Sequence, residues 1–262
     1  MIRIVLAAAF AFAAQAAAAQ VPPDALKELA PTGKLRAAIN LANSALAQEN
    51  PGADPKGVSV DLARELARRL DVPVEFVIFR GAGTVFDAVK SGRWDVAFFA
   101  IEPVRAAEVD FTAPYAIIEG GYAVPKDSHI RKIEDVDRAD VRIAVGQGSA
   151  YDLYLTRTLK HAQLVRARVA DRSYRRAFIA NKLEALADVK PMLVAWAKEQ
   201  PDVRVVDGSF MEIRQAMGTP KGRTAAAAYL RTFIEEMKAN GFVADALKRS
   251  NQPDVQVAPA GG

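Results

Sequence analysis

Apolar positions along the chain change period repeatedly, and each change predicts an element. The short, largely apolar runs KLRAAIN (34–40) and VEFVIF (74–79) read as strands, and between them VDLARELARRL sets Leu62, Leu66 and Leu70 on one helical face. A helix over 84–91 is closed by Gly92, the next strand is WDVAFF (94–99), and after the segment around DFTAPY extended chain continues in GYAVP (121–125). A second set begins with the strand VRIAVG (141–146) and a helix after Ser149. It continues with a strand near LVRARV, a helix near YRRAFIAN and a short strand in LEALA. Near the end Leu230, Phe233, Ile234 and Met237 share one helical face that stops at Gly241, and the tail 251–262, NQPDVQVAPAGG, has no apolar period and is expected to be disordered. Alternation of strand and helix predicts an α/β fold with largely parallel sheets.

The first residues fall outside this alternation. Arg3 is followed by an uncharged, alanine-rich run ending in Ala17-Ala18-Ala19, the pattern of a cleaved export signal over residues 1–19. Export places the mature chain in the periplasm. The 35 basic and 31 acidic residues nearly balance, which is no footprint for nucleic acid. The densest basic patch, RARVADRSYRR (166–176), reads either as solvated surface or as a contact for an acidic partner. With no cysteine, the chain has neither disulfides nor thiol chemistry. His129 and His161 are far apart in sequence, which argues against a metal site, and no cofactor motif occurs: Gly146-x-Gly148 lacks the third glycine of a dinucleotide fingerprint.

Candidate chemistry gathers at strand ends. Arg105 follows Pro103, a residue suited to a helix's first turn, just beyond the strand that ends near Phe99; ligands of open α/β sheets bind at such carboxyl ends. A guanidinium there matches a carboxylate through two parallel hydrogen bonds, or it pairs on the surface with Glu108 or Asp110. Gly148 and Ser149, between a strand and a helix, offer amides to an anion or form an ordinary helix cap. Asp188 and Lys190 lie in a strand-to-helix turn opened by Pro191, where either reaches a ligand or Asp188 caps the helix. Glu102 and Glu184 are the carboxylates available for acid catalysis, with no nucleophile elbow or serine–base pair beside them.

Four segments, GVSVDLARELARRLDVPVEFV, AVKSGRWDVAF, EPVRAAEVDFTAPY and VRIAVGQGSAYD, resemble in order and spacing the extracytoplasmic solute-binding proteins of amino-acid-type ABC importers, solute-binding family 3. The resemblance implies a two-lobed, type II periplasmic-binding-protein fold, each lobe a mostly parallel sheet flanked by helices. Lobe 1 would comprise 28–118 and 219–250 and lobe 2 would comprise 125–211, with GGYAVPK and IRQAMGTPK crossing between them. It further implies a monomer whose cleft closes on a small-molecule ligand and is then recognised by an inner-membrane ABC permease. Arg105 falls on the arginine that grips the ligand's α-carboxylate in that family.

Departures from the family pattern lie in the pocket. Asn40, Asn43 and Leu46 stand where an aromatic cradle is frequent, and Gly81 where a tryptophan is common. Phe98-Phe99-Ala100 replaces Gly-Met-Thr, so Ala100 lacks the hydroxyl that helps hold the carboxylate while Phe98 supplies an aromatic wall. The family's ammonium-binding aspartate aligns with Val189, one residue from Asp188. The expected ligand set is therefore Arg105, Asn40, Asn43, Phe98, Ala100, Gly148, Ser149 and Asp188, for a small, polar, anionic solute such as an amino acid or related carboxylate. Binding is the expected task. The alternatives are a periplasmic dehydratase of a small cyclic acid on the same fold, and a sensor or chemoreceptor-associated binding protein.

Overall fold

The computed structural model describes residues 21–261. The export signal expected at 1–19 lies outside them. In chain order the first half is α1 (Pro23–Leu29), β1 (Leu35–Asn40), α2 (Val58–Leu70), β2 (Val74–Phe79), α3 (Ala82–Asp87), β3 (Val96–Ala100), α4 (Pro103–Ala106) and β4 (Val109–Pro125). The second half is β5 (Arg142–Gly146), α5 (Ala150–Thr158), β6 (Gln163–Ala167), α6 (Ser173–Ala180), β7 (Ala185–Val189), α7 (Lys190–Ala197), β8 (Val203–Val205), β9 (Met211–Pro220), α8 (Thr224–Ala239), α9 (Phe242–Arg249) and β10 (Gln256–Val257).

Strand pairing follows the order β2-β1-β3-β9-β4-β7-β5-β6. The outer strands are parallel to their neighbours, β2 and β3 to β1, and β6 and β7 to β5. In the middle, β4 and β9 run antiparallel from Val109 opposite Pro220 to Gly120 opposite Met211, and these two long strands carry the chain between the two lobes. The pairing of β4 with β9 shifts register on both sides of Pro114, as a proline without an amide hydrogen requires inside a paired strand.

The predicted periodicities map onto the layers. Leu62, Leu66 and Leu70 of α2 and Leu230, Phe233, Ile234 and Met237 of α8 are buried in the first lobe's core. In the second lobe Tyr174 and Phe178 of α6 pack with Leu186 and Leu193. The helix expected over 84–91 is instead α3 followed by a 3-10 turn at Val89–Ser91, and the break at Gly92, with φ of 64°, falls where the sequence places it.

The tail corrects an expectation. Residues 256–257 pair antiparallel with Ile117 and Ala116 of β4, and Val255 and Ala258 are buried, so this segment is structured. A two-residue strand is too short to show a period. Helices α1 and α9 also lie beyond what the pattern predicted. No helix among the described residues is long and apolar enough to cross a membrane.

Candidate functional site

Register builds the site at the junction of the lobes. Ala100, the last residue of β3, pairs with Gln215 of β9, while Gly121 of β4 pairs with Asp188 at the end of β7. Strand ends from both lobes thus meet around a partly open cavity of about 60 Å³. One water needs about 10–15 Å³ on this scale, so the space corresponds to about four to six waters.

Arg105 is 1 % exposed on this cavity's wall. The four-residue helix α4 starts with Pro103 at its first position, and the arginine two residues on points back under the end of β3. Its Nη1 donates to the Ala100 carbonyl at 3.1 Å, and its Nη2 to the Gly148 carbonyl in the other lobe at 2.9 Å. The guanidinium also lies 5.5 Å from the centre of the Phe99 ring. The surface-pair alternative is overturned: Glu108 pairs with Lys90, and Asp110 accepts from the Gly222 amide. Among the described residues no carboxylate reaches ion-pair distance of Arg105. Burial pushes its pKa down to about 10, with Glu102 opposing, so the group remains a cation at neutral pH.

Asn40, Asn43, Phe98, Ala100, Ser149 and Asp188 line the same cavity. Phe98 packs edge-on to Tyr115, with ring centres 6.1 Å apart, and so forms part of the apolar wall. Gly148 departs from expectation. Its amide is taken by Asp152 and its carbonyl by Arg105, so it serves the closed structure rather than an anion. Ser149 is the N-cap of α5, its hydroxyl accepting from the Asp152 amide, and it faces the cavity as well. Lys190 turns away to Glu119.

Asp188 is 1 % exposed and is no helix cap. Its Oδ2 accepts from Tyr174 at 2.6 Å and from Arg175 at 2.6 and 3.1 Å, and its Oδ1 from the Val189 amide at 2.8 Å. Burial and the Asp188 charge push the phenols of Tyr174 and Tyr151 up, which keeps both protonated at neutral pH. Sequence reasoning took Arg175 for part of an exposed or partner-facing basic patch. It also passed over Ser59, Tyr151, Tyr174 and Gln215, which line the cavity. Only Gln215 left a trace, as a lone amide in the crossing segment.

The two glutamates considered as acids are elsewhere. Glu184 is tied to Arg142 at the outer end of β7, and Glu102, buried beside α4, faces Arg157 of α5. Neither lines the cavity. Among the described residues no three His, Cys, Asp or Glu side chains form a metal-holding group.

The Glu102–Arg157 contact joins the lobes at 2.7 Å, yet no hydrogen-bond partner meets Glu102 Oε2 in favourable geometry, so the attraction is ionic rather than directed. Arg157 is partly exposed and the pair is worth about 1 kcal/mol, or about fivefold in a closing equilibrium. Arg157→Ala should therefore leave the ligand-free protein more extended in small-angle scattering and weaken ligand binding a few-fold. An unchanged radius and affinity would remove this pair from closure.

With fold and cavity in view, the chain's class is settled: residues 35–250 match the bacterial extracellular solute-binding proteins, family 3, and the protein belongs to that family. The amino-acid-binding protein AabA of Dichelobacter nodosus is 30% identical over 102 residues, a match spanning 37% of this chain and 39% of that relative's length. The glutamine-binding protein of Geobacillus stearothermophilus is 22% identical over 209 residues, 76% of this chain and 77% of the relative. Among solved structures, the cysteine-binding protein of Campylobacter jejuni superposes with a TM-score of 0.75 at 22% identity, covering 89% of this chain and 99% of that one.

Proposed function

We propose that this protein is the periplasmic substrate-binding component of an ABC importer. It takes up a small anionic organic solute, an amino acid or related carboxylate, and presents it as a closed complex to an inner-membrane permease. The observation that carries the reading is Arg105: a guanidinium 1 % exposed, on a cavity wall between two lobes, whose hydrogen bonds among the described residues go to two carbonyls. A buried cation without a counter-charge is costly, and a ligand carboxylate offsets that cost. The lobe limits 28–118 with 219–250 and 125–211, a monomeric state, and ligand contacts from Asn40, Asn43, Phe98, Ala100, Ser149 and Asp188 belong to the same proposal; Gly148 supports it by holding Arg105.

Family membership and relatives named as amino-acid-binding proteins support binding rather than turnover. The placement of Glu102 and Glu184 outside the cavity counts against the dehydratase alternative. Native mass spectrometry of protein purified from the periplasm, before and after mild unfolding, should release a small acid. Release of a purely cationic or apolar molecule would overturn the carboxylate reading. Loss of uptake in a deletion strain distinguishes transport from sensing.

A further inference from the structure

We propose that the cavity selects a small carboxylate without an ammonium group, a 2-oxo or 2-hydroxy acid, over the α-amino acid of the same shape. The inference rests on the carboxylate-binding role of Arg105 and concerns the opposite wall. Recognition of an α-ammonium in a closed site needs an acceptor whose negative charge is available. Among the described residues Asp188 is the one acidic side chain lining this cavity, and Arg175 already matches its charge.

Arg175, 6 % exposed, reaches Asp188 from α6 and places both Nε and Nη2 on Oδ2, while Tyr174 donates to the same oxygen. The guanidinium is held in place by more than this pair: it lies 5.6 Å from the Trp196 ring centre and 5.8 Å from that of Tyr174. Oδ1 is engaged by the Val189 amide. A ligand ammonium would compete with a fixed guanidinium for those oxygens inside a space that also holds the Arg105 charge. Like charges in a low-dielectric cavity repel, and an ammonium stripped of water without a free counter-charge is strongly disfavoured.

Neutral hydrogen-bonding groups are available instead. Gln215, 4 % exposed, lines the cavity. Asn40 and Ser149 line the same space. An oxo or hydroxyl oxygen beside the carboxylate accepts from such groups without bringing a second positive charge. Arg105, Asp188 and Arg175 together leave one net positive charge, which a monoanion matches and a zwitterion does not.

The test is calorimetric titration of the full mature protein, freed of co-purified ligand, with matched pairs: pyruvate or L-lactate against L-alanine, and 2-oxobutyrate against L-2-aminobutyrate. In wild type the oxo or hydroxy acid should bind at least tenfold tighter than its amino counterpart. Arg175→Met, which frees Asp188, should move that ratio at least tenfold toward the amino acid. Should Arg175→Met fold poorly, the wild-type ratio decides by itself. Tighter wild-type binding of the amino acids, still lost in Arg105→Ala, would overturn the selection while leaving the carboxylate clamp intact. Binding of neither member of any pair would overturn both. An unchanged ratio in a folded Arg175→Met protein would remove Arg175 from the selection.

Discussion

Arg105→Ala should weaken ligand binding by about two or more powers of ten, with little change in the melting temperature of the ligand-free protein. A hydrogen bond to a charged group is worth roughly 1.5–3 kcal/mol, and the substitution also leaves a ligand carboxylate buried without its counter-ion. The free protein loses two bonds, to the Ala100 and Gly148 carbonyls, but is relieved of a desolvated cation, so the terms oppose. Arg105→Lys should recover only part of the affinity, because an ammonium keeps the charge without the planar fork. With the guanidinium lowered to about 10, affinity should hold across neutral pH and fall as pH rises past that value, since only the protonated form attracts a carboxylate. Titration calorimetry of the identified ligand checks all three. Wild-type affinity in Arg105→Ala would remove the proposed clamp.

Gly83→Leu is expected to be the next most damaging change, through shape rather than charge. Gly83 in α3 and Gly148 in the opposite lobe meet back to back: a Cβ added at Gly83 would stand 3.4 Å from the Gly148 Cα, and one added at Gly148 3.2 Å from the Gly83 Cα. Gly148 also has a φ of 72°, which strains any larger residue, so Gly83 is the cleaner position. A single methyl group fits at ordinary contact distance, whereas a leucine side chain acts as a wedge in the seam. Gly83→Ala should therefore bind nearly as wild type. Gly83→Leu should lose at least tenfold in affinity, about 1.4 kcal/mol, and should remain extended in scattering at ligand concentrations that compact the wild type. Its melting temperature should hold or rise, because leucine favours a helix more than glycine does. Compaction of Gly83→Leu equal to wild type would show that this seam does not limit closure.

The first lobe's helix α2 was legible because one face repeats every three to four residues, and β1, β2, β3 and β5 because short apolar runs sit between turn signals. The two-residue β10 was not, since it is too short to establish a period, and the helix read over 84–91 did not show its break into α3 and a 3-10 turn. Arg105 was visible as a candidate by its place after a strand, and the resemblance weighted it. Its burial, which removes the surface-pair reading, depends on the second lobe lying over it.

By itself the sequence determined the α/β alternation, the position of α2 and α8, the order of the two sets of strands and the residues that approach the strand ends. Those are local properties, written in side-chain period and turn chemistry over ten or twenty residues. Only the tertiary structure decided which charges cancel. Asp188 and Arg175 are thirteen positions apart and belong to different elements, so nothing in their spacing marks a pair. Gln215 reaches the cavity because β9 pairs with both β3 and β4, a register held over more than a hundred residues of intervening chain. Burial and electrostatics depend on distance in space, and it is the closing of one lobe on the other that turns a list of polar side chains into a small cavity walled by a buried guanidinium that no carboxylate among the described residues pairs.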